Sequence, residues 1–474
     1  ITSTTLKKNH ILSHITMGSI TPSFSSLPRT SESYFSKRGQ SALDQGRKRI
    51  TWDVISDMWH PQRNHSGILS IGMAENTLLH DTLLEYIHAN IRLSAEHLTY
   101  NNGSMGSNAL RKAVSHFLNR QFKPFRPIEP SHVLVTNGCS SAIEHLSWTF
   151  LNPGDAVLLA MPYYSTFIAD LSLRPEAVVV PVHLAGFQDP LDPKTIDKYE
   201  EAAVEFEART GKKARAVMLC NPHNPLGRCY PRETVDRLMR LCQARGMHLI
   251  SDEVYALSVW NNRLDNPNKV PFTPFKSILS RDTTNLIDSS LVHVLWGLSK
   301  DFGANGLRVG AVISQSSPDF HIAQKCLSLY SFVSSLSDQI TTSILKDDTF
   351  TDNYIKMNQE KLSECHEFLA LLLNKHRIEY MHGCNAGFFL WVNLGKRYLE
   401  AHPDEQKVRQ REGQDEWGTK LTDVIFQKLL DNKVYVAHGT AYGSEKPGWF
   451  RLVFSHPLPW LEEAMARIIR AITQ

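Results

Sequence analysis

From about Ser131 onward, short apolar runs rich in β-branched residues alternate with longer segments of helical periodicity. The runs predict strands at residues 133–136, 156–160, 177–180, 216–220, 248–251 and 292–296. Between two of them, apolar residues recur at i, i+3, i+4 and i+7 from Val235 to Cys242, which predicts a helix that Gly246 ends. Strands that are apolar on both faces and separated by helices indicate an α/β fold with a mostly parallel sheet.

After roughly Gln339 the sequence changes to long helical segments with late strands at 387–392 and 449–454. We therefore predict a large domain at residues 91–339 and a smaller C-terminal domain at 340–474, with residues 17–90 as an N-terminal arm that completes the smaller domain. Residues 1–16 show no periodicity and are interpreted as a tail outside the fold. Two charged stretches, 261–269 and 396–414, predict surface loops or insertions.

Composition excludes several classes of protein. The net charge is only +3, from 51 basic and 48 acidic residues without a long basic run, so no nucleic-acid partner is expected. The apolar runs are too short to span a membrane. The seven scattered cysteines and the lack of His/Cys spacing typical of metal sites indicate reduced thiols, no metal and a cytoplasmic protein.

Two short motifs follow predicted strands and suit a flat, phosphorylated ligand. After the strand at 133–136, a glycine leads into Cys139, Ser140 and Ser141, whose backbone N–H groups and hydroxyls would form an anion site at a helix start. An ordinary serine N-cap is the alternative. Tyr164 follows the strand at 156–160, where an aromatic ring either stacks on a ligand or packs in the core.

Two further strand ends carry polar groups that call for a partner. The two Asn-Pro steps in residues 221–225 stiffen a loop that can hold the Asn224 amide at a fixed point. Asp252 ends the strand at 248–251, and a buried acid there is costly unless a cation, such as a protonated ring nitrogen, pairs with it. Tyr255 is close enough in sequence to reach the same ligand. An exposed acid at a helix start is the alternative, which fits Glu253 better than Asp252.

The last predicted strand is followed by a lysine with apolar and cationic neighbours in the sequence. Lys300 follows an apolar run within a glycine-punctuated segment, and Arg308 comes eight residues later. A lysine in apolar and cationic surroundings has a lowered pKa and can form a Schiff base, while a planar guanidinium suits a phosphate. A solvated surface lysine is the ordinary alternative.

In this order and at these separations, the five segments resemble the fold-type I pyridoxal 5′-phosphate (PLP) enzymes of the class I/II aminotransferase family. Residues 72–76, 386–391 and 447–451 are similar to the 1-aminocyclopropane-1-carboxylate (ACC) synthase-like branch. The resemblance runs from about Tyr34 to the C-terminus. It implies a large lobe with a mostly parallel seven-stranded sheet flanked by helices, a smaller α+β lobe, PLP as cofactor and a homodimer.

The resemblance also implies a role for each motif residue. Lys300 holds the cofactor as a Schiff base and moves the α-proton, Asp252 pairs with the pyridine nitrogen, and Asn224 and Tyr255 bind the phenolic oxygen. Tyr164 stacks on the ring. The phosphate is held by Cys139, Ser140, Ser299 and Arg308. The substrate is bound by Glu75, Asn224 and Arg451, of which Arg451 grips the carboxylate.

Two positions depart from the family. Ser104 stands where the synthases place a tyrosine near the cofactor, which argues against ring closure to ACC. Gly297 replaces a phosphate-binding serine, so that contact is expected to fall to Ser299, Arg308 or water. We therefore favour a lyase that breaks a carbon–sulfur or similar Cβ or Cγ bond through an external aldimine and a quinonoid, like the C–S lyases of fungal sulfur-metabolite pathways. An aminotransferase for an aromatic or aliphatic amino acid and a catalytically inert binding module are the alternatives.

Overall fold

The computed structural model describes residues 34–47, 49–100, 102–265, 272–406 and 414–474, with the side chains of 414–419 excepted. The predicted tail at 1–16 lies outside these residues. The chain divides into two compact units, Ile1–Arg47 and Lys48–Gln474. The first contains one described helix, α1 (Lys37–Gly46), which Ser36 caps by accepting a hydrogen bond from the Gly39 N–H at 3.1 Å.

The second unit contains three sheets. Its strands in chain order are β1 (Leu69–Ser70), β2 (Val133–Thr136), β3 (Ala156–Ala160), β4 (Val178–Val182), β5 (Ala214–Cys220), β6 (His248–Asp252), β7 (Val292–Gly297), β8 (Gly310–Ile313), β9 (Glu379–Tyr380), β10 (Phe389–Asn393), β11 (Val434–Tyr435), β12 (Ala437–His438) and β13 (Trp449–Val453).

The largest sheet confirms the predicted α/β fold. Its seven strands lie in the order β2-β8-β7-β6-β5-β3-β4, and β8 alone runs antiparallel to its neighbours. The six predicted strands all lie in it, with ends within two residues of the predicted ones. Strand β8 was not predicted, because its four residues come directly after the glycine-punctuated segment around Lys300.

Helices flank this sheet and fill the second half of the chain. After α1 they are α2 (Thr51–Ser56), α3 (His80–Asn90), α4 (Asn108–Phe122), α5 (Cys139–Phe150), α6 (Thr166–Ser172), α7 (Ile196–Thr210), α8 (Arg232–Arg245), α9 (Leu298–Asp301), α10 (Pro318–Leu327), α11 (Ser335–Lys346), α12 (Asp348–Lys375), α13 (Leu394–Ala401), α14 (Gln414–Asp431) and α15 (Leu458–Thr473). The helix predicted around Val235 is α8, and Gly246 ends it in the left-handed conformation. None of the helices in the described ranges is long and apolar enough to cross a bilayer.

The smaller sheets belong to a second hydrophobic core. Strands β12-β13-β10-β9 form an antiparallel sheet, and β1 from the N-terminal segment pairs with β11. Their core contains Phe388, Phe450 and, from the C-terminal helix, Ile468. The domain boundaries at 90/91 and 339/340 stay predictions.

The prediction of a loop at 396–414 is wrong in its first part. Residues up to Ala401 belong to α13, in which Leu394, Tyr398 and Leu399 are buried, and residues 403–406 are helical as well. These apolar positions fall on one helix face. The charged residues between them give the segment a polar composition, which is typical of a surface loop. Residues 407–413 of that prediction, and 266–269 of the loop predicted at 261–269, lie outside the described residues.

Candidate active site

The carboxyl ends of five strands meet at one edge of the large sheet. The parallel strands β2, β3, β5, β6 and β7 all point the same way, so the segments that follow them converge there. These segments carry most of the predicted site residues. Arg451 reaches the same place from β13, and Glu75 from the segment after β1. Of the predicted residues, Glu75, Tyr164, Lys300 and Arg451 line one cavity there, and Asn224 contacts Arg451. Asp252 and Cys139 are close enough to act electrostatically on Lys300. Ser104 lies against Ser328 at 2.6 Å.

Lys300 and Asp252 lie near each other at this edge, where the charge of each shifts the pKa of the other. The Lys300 Nζ donates to the Ala74 carbonyl at 2.7 Å. Burial lowers the pKa of Lys300 to about 8, and the positive charge of Arg451 contributes, against an opposing effect of Glu75 and Asp252. The amine can therefore lose its proton near neutral pH, as a Schiff-base lysine must.

Asp252 is a buried acid that has no cation in contact among the residues that the structure describes. Burial raises its pKa to about 7, and its hydrogen-bond partner among the described residues is the Val254 N–H at 3.2 Å. The positive charge of Lys300 acts on it from a distance. A carboxyl group in this position is matched to a ligand that brings a positive charge, which is what a protonated pyridine nitrogen provides.

Arg451 is held in a fixed orientation inside the protein. Its Nη1 donates to Asn224 Oδ1 at 2.9 Å and its Nη2 to the Gly72 carbonyl at 2.7 Å. The guanidinium lies 4.7 Å from the ring centre of Tyr442 and 5.2 Å from that of Phe389. Its Nε is buried without a partner among the described residues, so donors remain for an incoming carboxylate.

The start of α5 forms a cradle for an anion. Gly138 precedes it with φ 82°, and a Cβ there would lie 2.3 Å from Arg308 Nη2. The guanidinium therefore occupies the space that only a glycine leaves open. Ser140 lies in the first turn, where backbone N–H groups are free to bind a phosphate. Cys139 beside it directs its thiol to the Trp296 carbonyl at 3.5 Å, and burial raises the pKa of the thiol.

Of the remaining predicted residues, Tyr164 and Glu75 line the cavity, and Ser299 and Tyr255 are buried. Tyr164 lines it and packs edge-on against Phe167, and Ser299 is buried immediately before Lys300 in α9. Tyr255 is buried edge-on against Phe388 and Phe389, and burial raises its pKa well above 10. Glu75 accepts from Asn305 Nδ2 at 2.9 Å.

The structure explains why position 297 is a glycine. Gly297 pairs with Gly310 at the end of β7, and a Cβ on it would lie 2.7 Å from the Val309 carbonyl oxygen. A serine there requires the two strands to move apart. The fit of this cradle to a phosphate therefore rests on the α5 N-terminus, Ser140 and Arg308.

Several cavity residues were not predicted from the sequence. The cavity measures about 670 Å³, and Lys300 is one of its lining residues. Its outer wall is made of residues from the N-terminal segment, α14 and the loops around β12, which are Arg49, Trp52, Phe426, Tyr435, His438 and Tyr442. They come from segments without a motif, and only the tertiary fold brings them together.

Comparison with known proteins agrees with this geometry. The family model for class I and II aminotransferases matches residues 70–468. A protein named as probable aminotransferase SirI from Leptosphaeria maculans is 32% identical over 91% of this chain and 98% of its own. A human protein named as probable inactive ACC synthase-like protein 2 is 30% identical over 87% of this chain and 68% of its own. Among solved structures, Thermus thermophilus aspartate aminotransferase with maleate superposes with a TM-score of 0.68 at 18% identity, over 93% of this chain and all of that one.

Proposed function

Because the chain belongs to the class I and II aminotransferase family, we propose that it is a PLP-dependent enzyme that acts on an α-amino acid in the cavity beside Lys300. PLP is the cofactor of this family. The observation that carries the proposal is the convergence, at one sheet edge, of a lysine with a lowered pKa, a buried acid and an arginine with spare donors. Within the described part of the chain, no cation contacts the acid.

The residues present fit the cofactor group by group. Arg308, Ser140 and the α5 N-terminus would hold its phosphate, Asp252 its ring nitrogen and Lys300 its aldehyde carbon. Tyr164 would cover the ring face. In this proposal Asn224 and Tyr255 bind the phenolic oxygen, and Cys139 and Ser299 support the phosphate site. When bound, PLP supplies an electron-poor ring that stabilises negative charge on the substrate α-carbon.

The chain's own groups position the substrate and move a proton. Arg451 would bind the α-carboxylate through two N–H groups, and its ring neighbours keep it from turning away. Lys300 Nζ, neutral in a substantial fraction near its pKa of about 8, would take the proton from the α-carbon. Glu75, which raises the pKa of Lys300, would bind the substrate at the cavity wall.

For the reaction itself we propose elimination at Cβ or Cγ, with a carbon–sulfur bond as the one broken. The size of the cavity and its aromatic outer wall support this choice, because they leave room for a bulky leaving group beyond the α-carbon. An aminotransferase is the second candidate, and the name of the relative SirI favours it.

A product assay separates the two reactions. The purified protein with PLP is incubated with cystathionine or a cysteine S-conjugate and no keto acid. Release of thiol, ammonia and a keto acid means elimination. Turnover that requires an added keto acid means transamination and refutes the lyase proposal. A protein that takes up no PLP would be an inert module, as the name of the human relative says of that protein.

We also propose a homodimer in the cytoplasm. Four exposed apolar side chains, Leu98, Tyr100, Leu329 and Tyr330, lie on two segments that the Ser104–Ser328 hydrogen bond joins, and we infer that they form one apolar patch. A second copy is the expected cover for such a patch in this family. Sedimentation of the wild type as a dimer and of Tyr330→Asp as a monomer would support this, whereas a wild-type monomer that binds PLP would refute it. The seven free thiols suit a reducing compartment.

A further inference from the structure

Asp170 shares a hydrogen-bonding group with the phosphate cradle. It lies on α6, six residues after Tyr164, and its Oδ2 accepts from Ser140 Oγ at 3.2 Å. Ser140 is in the first turn of α5, next to Gly138 and the guanidinium of Arg308. Under the proposed function, the Ser140 hydroxyl also donates to an oxygen of the phosphate. The Asp170 carboxyl group and the phosphate would therefore share this one hydroxyl.

The charged groups around Asp170 act on its pKa in both directions. Two arginines favour its ionised form and one acid disfavours it, namely Arg49 and Arg308 on one side and Glu144 on the other. Three more ionisable groups lie within electrostatic reach, namely Cys139, Tyr164 and Asp252. Burial outweighs the arginines and raises the pKa of Asp170 to about 6.

A bound phosphate dianion would make the ionised form of Asp170 less favourable. It would bind Arg308 itself and thereby screen one of the two cations that favour the carboxylate. The dianion and an ionised Asp170 would then both be acceptors for Ser140 Oγ, which has one proton to donate. Two negatively charged acceptors that share one hydroxyl group repel each other unless a proton lies between them.

We propose that Asp170 takes up a proton when the cofactor phosphate binds and donates it as a hydrogen bond to a phosphate oxygen. Asp170 thereby becomes a phosphate ligand that makes cofactor affinity depend on pH. This inference rests on the proposed function, since it needs the α5 cradle to hold a phosphate. It assigns to a carboxyl group on α6 a role that no motif in the sequence marks.

The test measures protons and affinity without catalysis. The probe is 4′-deoxypyridoxine 5′-phosphate, which has the phosphate but no aldehyde and so cannot react with Lys300. Calorimetric titrations at pH 7.5 in two buffers of different ionisation enthalpy give the number of protons taken up. The wild type is expected to take up about one proton more than Asp170→Asn, because the amide donates without titrating.

The affinity of the protein for the probe should depend on pH through the same proton uptake. Relative to Asp170→Asn, wild-type affinity should fall about tenfold for each pH unit between 6.5 and 8.5. Asp170→Ala lacks the donor and should bind several-fold more weakly than the wild type at pH 6. The matched control is Glu144→Gln, since Glu144 also acts on Asp170 but is paired with Arg174 at 2.6 Å. It should keep the extra proton.

The outcomes separate this inference from the proposed function. Equal proton counts and parallel pH profiles for wild type and Asp170→Asn would overturn the role of Asp170 while leaving PLP binding intact. Failure of the wild type to bind either the probe or PLP would overturn both. Thermal unfolding of the cofactor-free variants shows whether each is folded, and Asp170→Asn keeps the shape and the hydrogen bond to Ser140.

Discussion

Replacing Asp252 with asparagine should change how the stability of the cofactor-free protein depends on pH. Burial raises the pKa of Asp252 from 3.8 to about 7 in the folded protein, whereas in the unfolded chain the group titrates near its ordinary value. Between these values the folded state holds the proton and the unfolded state does not. The stability that this carboxyl contributes is therefore present in full below about pH 4 and is lost as the pH rises to about 7.

The magnitude follows from the size of the shift. A difference of about three pKa units, at roughly 1.4 kcal/mol each, gives a loss of about 4 kcal/mol across the whole range. Between pH 5 and pH 8 the wild type should lose about 3 kcal/mol relative to Asp252→Asn, whose amide does not titrate. Asp301 and Glu253, with similarly raised pKa values, contribute equally to both proteins and cancel in the difference.

The assay is thermal or urea unfolding of both cofactor-free proteins at intervals from pH 5 to pH 8.5. The control is Asp282→Asn, an exposed acid whose pKa is lowered by hydrogen bonds from Thr284 and which should leave the slope in this range unchanged. Parallel curves for the wild type and Asp252→Asn would contradict a raised pKa of Asp252 in the folded protein. With PLP added, the wild type should be the more stable of the two proteins, because only the aspartate can pair with a positively charged ring nitrogen.

Three further substitutions test the parts of the site. Gly138→Ala should weaken PLP binding more than tenfold, since its Cβ would lie 2.3 Å from Arg308 Nη2; equilibrium titration checks this, with Gly186→Ala, which meets no atom within 4 Å, as the control. Gly297→Ser should weaken PLP binding rather than restore a phosphate contact, because its Cβ would lie 2.7 Å from a backbone oxygen, and tighter binding would contradict this. Arg451→Lys should weaken binding of the amino acid by about 1.5 to 3 kcal/mol, which raises KM roughly 10- to 150-fold, while the cofactor spectrum is retained. An unchanged KM in steady-state kinetics would contradict the assignment.

The sequence allowed the strand ends to be predicted because the chemistry there is local. Each motif follows an apolar run directly, and parallel strands bring their carboxyl ends to one edge whatever the order of the strands. Lys300, Asp252 and Asn224 could therefore be grouped from their place in the chain. Residue types at strand ends were enough for this part of the site.

The rest of the site depends on packing between segments distant in the chain. Tyr442, which covers Arg451, comes from a short loop without periodicity, and Asp170 lies in an ordinary amphipathic helix. Neither position has a local signal, since Tyr442 acquires its role from Arg451 on the next strand and Asp170 acquires its role from Ser140 on a different helix. Helix α13 was missed for another reason, because its charged residues hide a buried face.

The central claim is that the Lys300 amine binds the cofactor covalently, and it can be measured directly. The protein is loaded with PLP, reduced with sodium borohydride, digested and analysed by mass spectrometry, with Lys300→Ala treated in the same way. We predict a phosphopyridoxyl group on Lys300, with a visible absorption band before reduction, and neither in the variant. A modification on a different lysine, or none on the wild-type protein, would contradict the account.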